Sequence, residues 1–180
     1  MGDRCSACIT IGGDLPEALC ENLLDLIRDS GAGPDYGSSI NDLFTGANKK
    51  LSHRARLELL MAECHAFGAQ KHIALYDNEV NYGSFPDLEG FCKNSGLSYD
   101  LHHDSGGEYD AGNEYIRDGA YITEAHSTNN GDMDYVPTAR IILARQALFE
   151  GNFHEAIRLL DEVVGDLWKL PPLPPFRIVP

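Results

Sequence analysis

The residue types best suited to chemistry cluster near the middle of the chain. His102, His103 and Asp104 are consecutive, and Asp100 lies two positions before His102. Alternate residues of a strand lie on one face, so Asp100, His102 and Asp104 could converge, and imidazole with carboxylate suits a transition metal. No helical His pair or other fixed metal spacing accompanies them. We therefore keep His102, His103 and Asp104 as candidate metal ligands for a second hypothesis, a small metal-binding protein or metal-dependent enzyme.

Other catalytic patterns carry less weight. The sequence has no G-x-S-x-G elbow and no Gly-rich phosphate loop of Walker type. Cys5 and Cys8 are spaced as C-x-x-C, but a structural zinc site needs a second pair. In a strand, moreover, residues three apart point to opposite faces. We therefore predict no catalytic residue and no cofactor, and expect a non-enzymatic protein.

Acidic charge is the strongest signal in the sequence. The chain carries 28 Asp and Glu against 14 Lys and Arg, a net charge of −14. Residues 77–134 alone contain 13 carboxylates and two cations, with tyrosines interleaved. Such charge disfavours direct binding to nucleic acid or to an anionic membrane.

A concentrated acidic surface favours a basic partner. Spaced carboxylates can imitate the phosphates of a nucleic acid, and tyrosines give contact area at low entropic cost. We therefore predict that the protein binds a basic protein surface, such as that of a host complex which itself binds nucleic acid. The alternative is that the charge only keeps the protein soluble. The residues predicted to contact the partner are Asp77, Glu79, Asp100, Asp104, Glu108, Asp110, Glu114, Asp118, Tyr99, Tyr109 and Tyr115.

The first elements follow from apolar runs and helix caps. Residues 4–12 are short and apolar, as expected of a first strand. Asp14 and Glu17 have the spacing of a capping box, which predicts a helix that Gly31 ends. Ser52 can cap a second helix.

The middle of the chain alternates between helix and strand signals. Ser84 and Asp87 repeat the capping pattern before a third, short helix. Alternation of apolar and polar residues then predicts strands. The predicted strands after the second helix are residues 72–82, 97–101, 108–117 and 120–125.

This order predicts an α+β fold, a mostly antiparallel sheet with helices on one face and a C-terminal helical hairpin. The other face of the sheet would be solvated and lined by the central acids. The predicted parts are an acidic domain over 1–135, the hairpin packed on it over 136–168, and a Pro-rich tail over 169–180.

The predicted hairpin and tail suggest a third hypothesis, an adaptor that binds partners through both. Helical spacing recurs on either side of Gly151. The tail is polyproline-like and could dock into an aromatic groove, or act as a stiff strap. The hairpin residues expected to be buried are Leu143, Leu148, Ala156, Ile157, Leu160 and Val164.

One segment has a resemblance. Residues 82–119 contain the runs YGSFPDLEGFC, GLSYD and EYDAGNEYIRDG. They resemble a segment of short uncharacterised proteins from phages and plasmids, which have no assigned activity. The resemblance implies a mobile-element accessory protein, and acidic proteins of that origin often block host nucleic-acid machines. The implied function is an inhibitor such as an anti-CRISPR.

The expected compartment is the cytoplasm. Five cysteines is an odd number, and most adjoin apolar residues, which is typical of reduced thiols. The first residues show no apolar stretch behind a basic start, so we expect no secretory signal. No stretch approaches the roughly 20 apolar residues of a membrane span.

Overall fold

The computed structural model describes residues 4–35, 37–68, 71–106, 111–126, 138–164 and 171–180. An open antiparallel sheet lies at its centre, which confirms the predicted α+β class. Five strands lie in the order β2-β1-β3-β4-β5, and β6 pairs in parallel with the end of β1. The strands are β1 (Arg4–Pro16), β2 (Ile73–Asn81), β3 (Ser98–His103), β4 (Gly112–Arg117), β5 (Ala120–His126) and β6 (Phe176–Val179).

Helices connect these strands. They are α1 (Cys20–Ser30), α2 (His53–Ala66), α3 (Pro86–Ser95), α4 (Thr138–Phe149) and α5 (Phe153–Val164). The Ser52 hydroxyl accepts the Ala55 N–H at 3.2 Å, so the predicted cap of α2 is confirmed. Gly31 and Gly96 take left-handed φ angles of 79° and 72°, which end α1 and α3. Among the described residues, no helix is long and apolar enough to cross a bilayer.

Residue alternation gives the sheet one buried face. In β1, Ala7, Ile9 and Ile11 are buried, whereas the residues between them are partly exposed. The cross-strand register places Tyr99 beside Ile11 and Leu101 beside Ile9 on the buried face. Helices α1–α3 add their own buried residues to this core: Cys20, Leu23, Leu24, Ile27, Leu57, Leu60, Cys64, Leu88 and Cys92. We call the opposite face the open face.

The predicted cap of α1 is wrong. β1 continues through Asp14 to Pro16, because residues 13–16 pair with β6. The Asp14 carboxylate accepts hydrogen bonds from Arg177 at 2.8 and 3.2 Å instead of capping a helix. The extended conformation of residues 13–16 therefore depends on pairing with β6 from the far end of the chain, and the local sequence does not predict it.

The cap of α3 also differs from the prediction. The Ser84 side chain does not cap the helix as the pattern implied. Glu89 does so instead, because its Oε1 accepts the Ser84 O–H at 2.8 Å and the Phe85 N–H at 2.6 Å. Glu89 is only 7 % exposed, so this carboxylate is a structural group.

The C-terminal tail crosses one end of the open face. The Arg117 side chain donates to the Pro171 carbonyl at 2.8 Å, and the Gly13 N–H donates to the Pro175 carbonyl at 3.3 Å. Phe176 is buried. The prediction of a wholly solvated face is therefore wrong at this end. Residues 171–180 are part of the fold and are not a free polyproline ligand, which removes the tail from the adaptor hypothesis.

Helices α4 and α5 pack against each other as a hairpin, but its predicted burial is largely wrong. Ala156 is buried as predicted, and the Val164 side chain lies outside the described part. The buried hairpin residues are mostly small (Ala144, Ala147 and Ala156, with Leu159), and most of the large apolar residues lie outside the contact between the helices. Four predicted core residues are 39–58 % exposed: Leu143, Leu148, Ile157 and Leu160.

Candidate functional site

The carboxylates predicted to form one acidic face are distributed over several surfaces. Asp100 lies on the open face, where its carboxylate accepts a 2.6 Å hydrogen bond from Arg117. Arg117 is only 7 % exposed, so Asp100 neutralises a buried cation. Asp100 is therefore committed to an internal ion pair that a partner would have to break.

Glu114 lies on the opposite face, beside α3. It accepts a hydrogen bond from the Tyr99 hydroxyl and forms an ion pair with Lys93 at 3.1 Å. Tyr99 is fully buried, and this burial raises its pKa, as does the bond to Glu114. The prediction that Tyr99 contacts a partner is therefore wrong, since the core and this carboxylate occupy its side chain.

The predicted metal cluster does not converge. His102 and His103 are adjacent on β3, so their side chains point to opposite faces. His102 Nε2 lies 3.9 Å from Asp104 Oδ1, while the other ring nitrogen contacts Asn113 at 2.7 Å. Within the described residues, no group of three or more His, Cys, Asp or Glu side chains could hold a metal ion. The metal hypothesis therefore has no support in the geometry.

The other described residues that were predicted to contact a partner lie apart from the histidines. Asp118 is exposed in the β4–β5 turn, where its N–H donates to the Ser98 hydroxyl at 2.9 Å. Tyr115 lies half-buried opposite Asp100 on the open face. The predicted contact residues Glu108, Tyr109 and Asp110 lie outside the described residues.

A row of Cys8, His102 and Asn113 crosses three strands of the open face. Those residue types could build a nucleophile, but burial raises the pKa of the Cys8 thiol. Hydrogen bonds from Thr10 and Tyr76 lower that pKa to a smaller extent. A thiol that stays protonated is a weak nucleophile, so we assign no covalent chemistry to this row.

The site that remains is a cavity of about 560 Å³ at one end of the sheet. It opens where α1 and β2 end and where α3 begins. Its size is that of a pocket for a side chain or a small ligand. We call it the acidic cavity, and its lining residues are Leu26, Asp29, Ser30, Asp77, Glu79, Val80, Asn81, Tyr82, Ser84, Phe85, Pro86, Asp87 and Leu88.

Negative charge dominates this cavity. It brings the predicted residues Asp77 and Glu79 together with Asp29 and Asp87, and no cation is among the described lining residues. Neighbouring arginines pair with two of the four, Arg28 with Asp29 at 3.0 Å and Arg4 with Glu79. Asp77 and Asp87 have no cationic partner within the described part of the chain. The cavity thus offers two uncompensated carboxylates.

An aromatic ring lies at the rim of the acidic cavity. Tyr82 is 61 % exposed and adopts a left-handed φ of 54°, which is unusual for a residue with a side chain. Gly83 follows in the same region, and a Cβ there would lie 2.5 Å from the His103 ring. The His103 ring therefore packs against this turn, and this close approach requires glycine at position 83.

Carboxylates beside an exposed aromatic ring suit a cation. A guanidinium or ammonium group would donate charge-assisted hydrogen bonds to the carboxylates and form a cation–π contact with the aromatic ring. Apolar walls from Leu26, Val80 and Leu88 would accept the hydrocarbon stem of such a group. The sequence singled out Asp77 and Glu79 by charge density alone. It missed Asp29, Asp87 and Tyr82, because only the fold brings the end of α1 to the start of α3.

Comparison with known proteins adds no relative: no protein-family model, curated protein or solved structure matches the chain. The resemblance of residues 82–119 to phage and plasmid proteins therefore stays a prediction.

Proposed function

We propose that this protein is a non-enzymatic acidic interaction protein that binds a basic protein surface and receives one cationic side chain of its partner in the acidic cavity. The observation that carries the proposal is the pairing of Asp77 and Asp87 with the exposed Tyr82 ring around a cavity of side-chain size. An arginine side chain matches this lining best, because its guanidinium is planar, stacks on aromatic rings and binds carboxylates through two hydrogen bonds.

The charge of the whole chain supports the same partner. A net charge of −14 attracts basic surfaces over distance and raises the rate of encounter, while it repels nucleic acid itself. The cavity would then supply the specific contact after a long-range approach. The supporting carboxylates are those without internal ion pairs, which excludes Asp100 and Glu114 from the contact.

The concrete form that we propose is an inhibitor, encoded by a phage or plasmid, of a host complex that binds nucleic acid, such as an anti-CRISPR protein. Basic grooves for nucleic acid are the surfaces that a strongly acidic protein can occupy. The resemblance of residues 82–119 favours this origin, and most of the cavity lining beyond α1 lies in or next to that segment.

Partner capture tests the proposal. The tagged protein is incubated with host lysate at low and high salt, and the association rate of each recovered partner is measured with purified components. We expect a basic partner that is lost at high salt, because screening weakens exposed charge pairs. Asp77→Asn with Asp87→Asn should weaken binding by about a hundredfold or more, since each of the two lost charge-assisted hydrogen bonds contributes about 1.5–3 kcal/mol.

A matched control separates the cavity from general charge. The double variant Glu21→Gln with Glu63→Gln also removes two negative charges, but from exposed positions of α1 and α2 that do not line the cavity. This variant should bind almost as well as the wild type. Equal losses for both pairs would show that charge acts only generically, and binding insensitive to salt would contradict the proposal.

A further inference from the structure

The α4–α5 hairpin has most of its large apolar residues outside. Three small side chains and one leucine are buried between the helices, where Ala144, Ala147, Ala156 and Leu159 are at most 6 % exposed. The other large apolar residues stay in solvent. Those more than a third exposed are Ile141, Ile142, Leu143, Leu148, Phe149, Phe153, Ile157 and Leu160.

Five of these residues share one face of the hairpin. On α4, Ile141 and Leu148 are seven positions apart, so they lie on the same side two turns apart. On α5, Phe153, Ile157 and Leu160 follow at spacings of four and three, which again gives one stripe. On each helix the stripe lies about a quarter turn from the buried residues, Ala144 and Ala147 on α4 and Ala156 and Leu159 on α5, in the same rotational sense. In an antiparallel hairpin the two stripes therefore adjoin. We call this surface the hairpin face.

The hairpin is nearly neutral in a strongly acidic chain. Residues 138–164 contain three arginines and four carboxylates, against a net charge of −14 for the whole protein. A basic partner has little to attract it there. A second copy of the same acidic chain, however, meets less like-charge repulsion here than at the acidic surfaces of the molecule.

The area of the hairpin face is in the range that a dimer needs. From their exposed fractions of 39–65 %, the five side chains present on the order of 500 Å² of apolar surface. A contact between two such faces buries roughly 1,000 Å², the lower bound of a specific interface. The largest apolar patch of an ordinary monomer is about 300–600 Å² and is often functional, and the hairpin face lies in the upper part of that range.

We infer that the hairpin face is a self-association surface through which two copies of this chain form a two-fold symmetric dimer with a four-helix contact. A two-fold axis brings the same stripe against itself, so each apolar residue finds an apolar partner without a second kind of surface. This inference goes beyond the proposed function, because the acidic cavity lies on other elements and remains complete in one copy.

Sedimentation velocity over about a hundredfold range of protein concentration tests the dimer, because its population rises with concentration. The wild type should move from the 19.8 kDa monomer towards twice that mass. Added salt should favour the dimer, because it screens the repulsion between two acidic chains. Ile157→Glu and Leu148→Glu, one on each helix, should remain monomeric at every concentration, since each places a charge in the apolar contact.

The control is Gln146→Glu, which adds a carboxylate to an exposed position of α4 on the side away from the Ile141 and Leu148 stripe and should dimerise like the wild type. Circular dichroism shows that each variant is folded. A variant that fails to fold is replaced by the milder Leu148→Ser. A wild type that stays at 19.8 kDa throughout would overturn the inference. So would equal association of Ile157→Glu and Gln146→Glu, or association that continues past the dimer.

Discussion

Gly12→Ala probes the docking of the C-terminal tail on the open face. The φ angle of Gly12 is not in the left-handed region, so its backbone accepts alanine. A Cβ at this position, however, would lie 1.9 Å from the Pro174 carbonyl oxygen, far inside van der Waals contact. The tail would have to retreat by roughly 1.5 Å, because neither partner of the clash is a flexible side chain.

That retreat affects three hydrogen bonds of the tail. They join Arg117 to Pro171 at 2.8 Å, His72 to Leu173 at 3.2 Å and Gly13 to Pro175 at 3.3 Å. At about 0.5–1.5 kcal/mol for each, we expect the free energy of unfolding to fall by about 2–4 kcal/mol. For a chain of this size, the melting temperature should then fall by roughly 5–15 °C.

Thermal unfolding followed by circular dichroism gives the magnitude, and amide hydrogen exchange over residues 171–180 gives the location. Gly90→Ala is the matched control. It lies within α3 with nothing within 4 Å of the new methyl group, so it should stabilise the protein by about 0.5–1 kcal/mol. An unchanged melting temperature for Gly12→Ala, with the tail equally protected, would refute the reasoning.

Three further predictions use buried groups. In the hairpin, Leu159→Ala should lower the free energy of unfolding by about 2–5 kcal/mol, because Leu159 is only 5 % exposed. Leu160→Ala should lower it clearly less, because Leu160 is 39 % exposed. Chemical denaturation measures both, and equal losses would contradict the packing. Burial raises the pKa of Cys64 from 9.0 to about 11, so the unfolded chain loses this proton at a lower pH than the folded protein does. The free energy of unfolding should therefore fall by about 2–3 kcal/mol between pH 9 and pH 11. When denaturant midpoints are measured across this pH range, Cys64→Ala should show a smaller fall than the wild type. Arg117→Met removes the side-chain hydrogen bonds to Asp100, to the Tyr99 carbonyl and to the tail at Pro171, so it should lower the free energy of unfolding by about 2–4 kcal/mol. A melting temperature equal to that of the wild type would contradict the assigned contacts.

The sequence predicts those parts of the fold that depend on local signals. Apolar runs and alternation place the first strands, and Ser52 and Gly31 mark helix ends, because a cap or a left-handed turn is a property of a few neighbouring residues. The cap at Asp14 fails for the complementary reason. Its true partner, Arg177, comes from the other end of the chain, and no local pattern contains it.

The spacing of apolar residues also predicts which residues share one face of a helix, but it does not predict what packs against that face. Leu160 and Leu159 belong to the same apolar arc of α5, yet the first is exposed and the second buried, because the close helix contact selects only part of the arc. Hairpin burial was mispredicted for this reason.

The sequence predicts that acidic residues are abundant in the middle of the chain, but it does not predict which of them lie together on the surface. Charge counting found the carboxylates, whereas the cross-strand register decides that Asp100 meets Arg117 and that Glu114 meets Tyr99. Only tertiary structure reveals the acidic cavity, where Asp77 lies with Asp87 and Asp29 from two helices distant in sequence.

Titration with a defined cation tests the central claim most directly. A short neutral peptide with one arginine is added to the protein, and amide chemical shifts of residues 77–88 are followed by NMR; the control peptide carries citrulline, which keeps the shape and loses the charge. We predict saturable shifts at the acidic cavity with a dissociation constant on the order of 1 mM, absent for citrulline and for Asp77→Asn with Asp87→Asn. Shifts that are equal for both peptides, or that scatter over acidic residues elsewhere with none at the cavity, would contradict the account.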